Sequence, residues 1–397
     1  MALTKIKDKV YWVGAVDWDI RDFHGYSTYK GTTYNAYLCM DEKITLFDTV
    51  KSNYYDELLY HIKELTDPTK IDYIVVNHVE LDHSGCLPKI IELCKPEKVF
   101  CSPMGQKALH DHFHRDDWPI EVVKSGDTIS LGAKTVTFLE TKMLHWPDSM
   151  FSYIKEEKLL ISSDAFGQHL ASTERYADEV AIGEVMTHAA KYYANILNLF
   201  APNIQKLLAQ VTEMGLAIDM IAPDHGLIWR GNPEVIMSAY DRWSKRETSR
   251  KALVIYDSMW HSTAIMAKAI GGAINREGVA VKMLNLAVNH RSDIMTETLD
   301  CRAIVLGSPT LNNGILPRMG DFLTYLKGLR PKGKVGAAFG SFGWSGEAVK
   351  HLNEAMEGME IQVLDPGLKV KNVPTEADFA KCKELGAKIA AAVKEMG

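Results

Sequence analysis

Four potential metal ligands, His78, Glu80, Asp82 and His83, occupy six consecutive positions in the run Asn77-His78-Val79-Glu80-Leu81-Asp82-His83-Ser84-Gly85. The apolar stretch Ile71-Asp72-Tyr73-Ile74-Val75-Val76 precedes them. This order predicts ligands at the carboxyl end of a buried strand, held rigidly and facing a cleft. His78 and Glu80, two apart on extended chain, point to the same side. Asp82 and His83 fall where the chain turns into a helix that begins near Cys86-Leu87-Pro88. Imidazole and carboxylate without thiolate suit a borderline-to-hard ion such as iron, manganese or zinc. The plain alternative is a polar loop rich in acids and histidines.

Three later residues extend the pattern. His145, in Met143-Leu144-His145-Trp146-Pro147-Asp148, lies just beyond the alternating segment 135–140. Asp164 follows the strand-like run Lys158-Leu159-Leu160-Ile161-Ser162-Ser163, and His225 follows Ile221-Ala222-Pro223-Asp224 and precedes Gly226. Each ends a different apolar strand, as in a dinuclear site at the open end of a layered α/β domain. The arrangement resembles the metallo-β-lactamase superfamily, whose usual run is His-x-His-x-Asp-His with later His, Asp and His. Glu80 stands where that run has its second histidine, and with these spacings the chain resembles the flavodiiron proteins. The resemblance implies an αββα metallo-β-lactamase-like sandwich holding two oxo- or hydroxo-bridged irons. It places His78, Glu80 and His145 on one iron, Asp82, His225 and His83 on the other, and Asp164 between them. In some of that family a water replaces the equivalent of His83. A third carboxylate beside Asp82 and Asp164 adds anionic oxygen that stabilises ferric iron.

A polar, charged stretch, Asp241-Arg242-Trp243-Ser244-Lys245-Arg246-Glu247-Thr248-Ser249-Arg250, marks a join between domains at 1–249 and 250–397. Beyond it, strand, loop and helix repeat, which predicts a doubly wound parallel sheet. The first loop, Asp257-Ser258-Met259-Trp260-His261-Ser262-Thr263, opens a helix from Ala264 to Arg276. Hydroxyls and backbone N–H groups at a helix amino end suit a phosphate. Neither G-x-x-x-x-G-K-[ST] nor G-x-G-x-x-G occurs there, so a single terminal phosphate fits better than a triphosphate or a dinucleotide. Two further loops, Gly307-Ser308-Pro309-Thr310-Leu311-Asn312-Asn313-Gly314 and Gly340-Ser341-Phe342-Gly343-Trp344-Ser345-Gly346, follow the strands 303–306 and 335–339. This half resembles flavodoxin, which implies FMN with its phosphate in 258–263, its ring edge near 308–314 and its ring face near 341–346. Trp260 and Trp344 are the stacking candidates.

Together the halves resemble the short flavodiiron proteins of the rubredoxin:oxygen oxidoreductase type, along the whole chain. The end at Gly397 predicts no added rubredoxin or flavin-reductase module. The resemblance implies electrons entering at FMN, passing to two irons, and reducing dioxygen to water or nitric oxide to nitrous oxide. It also implies a head-to-tail homodimer, or a dimer of dimers. Residues 251–397 carry 18 Lys+Arg against 15 Asp+Glu, and the remainder 27 against 36. A basic excess on the flavin half, with Lys327, Arg330, Lys332 and Lys334 clustered, suits a small acidic carrier such as rubredoxin. A solvated helix end explains the same cluster equally well.

Composition agrees. At 397 residues, 46% hydrophobic and 24% charged, the chain reads as a soluble protein of two or three domains. The net charge of −6 argues against nucleic acid, and no stretch matches a membrane span or a signal peptide. The six cysteines form no C-x-x-C pair, and read as thiols in a reducing cytoplasm. Other histidines compete for attention. His110, His112 and His114 read as a surface cluster. His169 reads as a neighbour of the metals or an ordinary core histidine, and His24 as lining the approach. His188 and His261 read as structural or cofactor-adjacent. His145-Trp146-Pro147 and Tyr192-Tyr193 either shape a gas pocket or pack as core. Two rival functions remain: a zinc hydrolase, which Glu80 disfavours, and a flavin electron carrier with an idle metal domain.

Overall fold

The strand Tyr73–Val76 is buried at its last three residues, and it pairs in parallel with both Thr45–Phe47 and Lys98–Cys101. Buried on two faces, it needs no polar alternation and has none. In this computed structural model, which describes residues 4–396, it lies inside a seven-stranded mixed sheet. A second sheet of six strands includes Thr135–Glu140, Met150–Ile154, Leu159–Ile161 and Met220–Ala222. Trp12, Phe47, Val75 and Phe100 from the first sheet pack with Phe138, Met150, Ile161 and Ala222 from the second. On its outer face the first sheet buries Leu38, Leu46, Ile74 and Val99 against Leu58, Ile62, Ile90 and Leu109, which lie on three helices. The expected sandwich is therefore present, and its two apolar layers fix the strand ends from which the site is built.

Residues from 242 onward form the second compact unit, joined by the short segment 194–199; the first comprises the chain to Tyr193 and residues 200–241. Sequence gave no sign that 194–199 sides with the later residues. There Asn198 donates to the Leu329 carbonyl at 2.7 Å, and the Tyr325 hydroxyl donates to Asn195 at 2.8 Å. The sheet of this unit is parallel. Its strands Ala280–Asn285, Lys251–Tyr256, Ala303–Gly307, Val335–Phe342 and Gln362–Val363 lie in that spatial order, with Leu368–Lys371 continuing alongside the fourth. This is the flavodoxin order, and it reverses direction between Lys251–Tyr256 and Ala303–Gly307, where the loops after them form a crevice.

Candidate functional site

Parallel pairing of Leu159–Ile161 with Met220–Ala222 sets Ile161 opposite Ala222. The chain therefore delivers Asp164 and His225 side by side, just beyond the ends of two neighbouring strands. From the other sheet, Tyr73–Val76 leads into Asn77, whose backbone N–H and side-chain amide both donate to Asp48, at 2.7 and 2.6 Å. Ser152 donates to the Asn77 side-chain oxygen at 2.7 Å, so the residue before His78 is held on three sides. Glu80 stands at the head of the short helix Leu81–Ser84, which carries Asp82 and His83. Gly226, after His225, has φ of 78°, and a Cβ there would collide with the side chain of Gln168. Glycine is required at that turn.

The seven residues gather into two groups, His78, Glu80, His145 and Asp164, and Asp82, His83 and His225. Asp164 lies between them. Its Oδ2 is 2.8 Å from Nε2 of His145 and 3.5 Å from Nε2 of His78. Its Oδ1 is 3.1 Å from Nε2 of His83 and 3.4 Å from Nε2 of His225. Glu80 approaches His145 at 3.1 Å and His78 at 3.4 Å, and Asp82 approaches His225 at 3.2 Å and His83 at 3.4 Å. All four imidazoles turn Nε2 inward.

These close approaches are poor hydrogen bonds. Both oxygens of Asp82, both ring nitrogens of His83 and Oδ1 of Asp164 are buried with no hydrogen-bond partner. Buried polar atoms left this way cost free energy unless another partner satisfies them. Lone pairs of three carboxylates and four imidazoles, converging with several of their atoms left unpaired, fit two cations with oxygen and nitrogen ligands. The rings are backed from behind. Nδ1 of His78 donates to Asp148 at 2.9 Å, and Nδ1 of His225 donates to the Thr33 carbonyl at 2.7 Å. Nδ1 of His83 faces Asp224 at 3.7 Å. The hydrogen bonds behind His78 and His225 fix the tautomer that leaves Nε2 free for a metal.

Electrostatics follow from this crowding. Burial opposes charge on His78, but hydrogen bonds to Asp148 and Glu80 outweigh it and hold the proton well above the ordinary histidine range. Burial likewise opposes charge on His145, yet Asp164 and Glu80 lift it to about 9. Burial alone would raise Asp164, but His83 and His145 hold it well below the usual carboxylate range. Asp224 differs: burial, with Asp48 nearby, pushes it well up. Without cations, protons on the histidines balance the acids.

In the second unit, the three loops line a cavity of about 400 Å³. Its walls include Met259, Trp260, Ser262, Pro309, Thr310, Leu311, Asn312, Ser341, Phe342, Gly343 and Trp344, with Asn372 and Val373 added. That size suits a ligand as large as a mononucleotide. Trp260 and Trp344 are 85% and 88% exposed, two indole faces left to solvent at its edge. The remaining residues expected there, Ser258, His261, Thr263, Ser308, Asn313, Gly314, Ser345 and Gly346, lie outside the lining. Several support it. The Thr263 and Ser341 hydroxyls meet at 2.9 Å, and Ser308 accepts from the Leu316 N–H at 3.0 Å. Sequence missed Asn372 and Val373, which follow the strand Leu368–Lys371 and lie outside the three loops.

Comparison with known proteins agrees with both halves. A family model described as ODP family beta lactamase matches residues 32–226, and a flavodoxin model matches 254–386. The chain is 50% identical to rubredoxin-oxygen oxidoreductase of Megalodesulfovibrio gigas, covering 99% of each chain. It is 48% identical to nitric oxide reductase of Moorella thermoacetica, covering 98% of each. The crystal structure of the flavodiiron protein from Giardia intestinalis superposes with a TM-score of 0.96 at 34% identity, covering 100% of this chain and 98% of that one.

The chain belongs to the flavodiiron proteins.

Other residues of this flavodiiron protein now take their places. His24 is exposed, and its Nε2 lies 3.5 Å from Glu80. His169 is buried, 4.8 Å from the His225 ring between centroids, with Nδ1 2.8 Å from the Thr32 hydroxyl. Tyr192 packs on His169 and His225, whereas Tyr193 turns to Tyr240. His110 pairs with Asp116 at 2.9 Å on the surface, and its neighbours His112 and His114 are exposed too. None of the three histidines joins either metal group found among the described residues. His188 is half-buried on the helix Ile182–Tyr192, and His261 is exposed at the head of the helix Ser262–Arg276. Asp148, Asp224 and Asp48 were not singled out from sequence; the only hint was an acid three positions after His145. All six cysteines are free and buried. No helix among the described residues is long and apolar enough to cross a membrane.

Proposed function

We propose that this chain is an oxidoreductase that uses a di-iron site and FMN to reduce dioxygen to water, nitric oxide to nitrous oxide, or both. One observation carries the reading: each oxygen of Asp164 faces a different pair of histidines, with Glu80 as a further carboxylate in one group. His78, Glu80 and His145 would hold one iron, Asp82, His83 and His225 the other, and Asp164 both. When bound, the two irons supply two electrons and open positions for a diatomic gas, and FMN supplies two more. The protein's part is placement. Asp148 and the Thr33 carbonyl orient His78 and His225. Burial of most of the cluster keeps bulk water off it, while His145 and Glu80, 16% and 12% exposed, face the approach. In the second unit, the amino end of the helix Ser262–Arg276 would bind the FMN phosphate, and Trp260 and Trp344 would flank its ring.

Electrons would come from rubredoxin or a similar small acidic carrier, as the names of the M. gigas relative and of the flavorubredoxins suggest. A cytoplasmic homodimer, head-to-tail or paired into a dimer of dimers, fits the family. The domain boundary would fall at 249/250. The test is elemental analysis and visible spectroscopy of the pure protein, followed by gas uptake after reduction. Two irons and one flavin per chain, with consumption of either gas, are expected. A colourless zinc protein, or an iron-loaded reduced protein that consumes neither gas, would overturn the reading and favour a hydrolase.

A further inference from the structure

Trp146 packs at a steep angle against two candidate ligands at once. Its ring centroid is 5.2 Å from that of His78 with the planes at 90°, and 6.0 Å from that of His145 at 77°. Its ring also lies nearly parallel to that of the exposed His112, 6.2 Å away with the planes at 12°. The indole is half-buried, so it forms a bridge of rings from solvent to the metal group. Nothing in the proposed reaction uses it. No other tryptophan among the described ring pairs meets a candidate ligand histidine.

We propose that Trp146 is an oxidative modification site, hydroxylated when dioxygen reaches the metals with too few electrons to complete its reduction. The inference rests on the di-iron reading above. Reduction of dioxygen to water takes four electrons, two from the metal pair and two from the flavin. If the flavin is already oxidised, dioxygen stops at the oxidation level of hydrogen peroxide. An indole C–H then completes the balance. The O–O bond breaks, one oxygen forms an indole C–OH, and the other leaves as water with the displaced hydrogen. The indole loses two electrons and the oxygens gain two.

Position favours Trp146 over its neighbours. It lies against the rings of two candidate ligands in one metal group, His78 and His145, and so next to where dioxygen would react. Tyr192 also approaches a ligand histidine, at 6.1 Å from His225, but it is 1% exposed and shut away from solvent. The proposed outcome spares the ligands, because the oxidising equivalent ends on a residue that binds no metal.

The test uses the full-length protein, loaded with iron and FMN. It is reduced without oxygen to either two or four electrons per chain, given one pulse of dioxygen, digested with trypsin and mapped by mass spectrometry. The peptide 143–155 also contains Met143 and Met150, so fragment ions must assign the added oxygen, and sulfoxide reductases remove the methionine contribution. At two electrons, one added oxygen is expected on Trp146, several-fold above the exposed Trp18 and Trp344. At four electrons it should fall several-fold. Metal-free protein treated with hydrogen peroxide should instead follow exposure, with Trp260 and Trp344 modified first. Oxidation of Trp146 no greater than that of Trp18, equal at both electron loadings, or replaced by oxygen on His78 or His145 would overturn the inference. If the four-electron protein consumes dioxygen but Trp146 stays unmodified after the two-electron pulse, only this inference falls. If it consumes none, the functional reading fails and this falls with it.

Discussion

His78 donates through Nδ1 to Oδ2 of Asp148 at 2.9 Å, and the same oxygen accepts the backbone N–H of Val79 at 2.7 Å. Asp148 is 2% exposed, and its own carbonyl accepts from Ser102 at 2.7 Å. One buried carboxylate thus fixes both the ring and the main chain beside it. Asp148→Asn should weaken iron binding by about 10–100-fold, the usual cost of losing such a partner. Competition against a chelator measures this. Unchanged affinity would make Asp148 a packing residue only.

Protons and metal compete for the same nitrogens. The pKa values of His78, His83 and His145 are raised, so in metal-free protein these groups add stability that is fully present below the ordinary histidine value of about 6.5. That contribution fades as pH rises, for His145 through about 9. A cation needs the free imidazole, so apparent metal affinity should rise across this interval while metal-free stability declines. Calorimetry in buffers of different ionisation enthalpy should show protons released on loading near neutral pH. Proton uptake would contradict the argument.

Gly226→Ala tests the turn after His225. A left-handed φ and the collision with Gln168 both oppose a side chain there. A loss of about 1–3 kcal/mol in unfolding free energy is expected for metal-free protein. Denaturant titration would show it, and metal content should drop because the turn carries His225. A variant as stable as the parent would mean that the loop yields freely.

Salt tests the carrier surface. Lys327 and Arg330 are exposed, but Lys334 is buried and donates to the Cys301 carbonyl at 2.7 Å, and Lys332 pairs with Glu360. The basic cluster is therefore smaller than sequence implied. Reduction by rubredoxin should slow as ionic strength rises through about 0.1 M, where screening acts over roughly 10 Å. Lys327→Glu should slow it further, whereas Lys334→Met should lower stability without altering the salt response. Stopped-flow rates insensitive to salt would remove electrostatic steering.

The folds and the metal cluster were readable because candidate ligands fall within a few residues of the ends of short apolar strands, and strand ends are where α/β folds place sites. His78, Asp164 and His225 each lie two or three residues past such a strand. What escaped notice was cross-chain. Asp148 lies seventy positions from His78, and its carboxylate looks like any loop acid until the fold folds it back. Lys334 shows the converse, a charged residue whose burial depends on a single carbonyl from another strand end. In the flavodoxin-like unit, loop positions were identifiable but their orientation was not, so Ser308 and Thr263 prove to brace the walls while Asn372 and Val373 complete them.

Because one side chain, Asp164, offers an oxygen to each half of the cluster, neither half is complete alone. A first ion would settle that carboxylate in place for a second, so occupancy should climb steeply with added iron and half-filled molecules should be scarce. Any substitution at 164 would then empty both positions together.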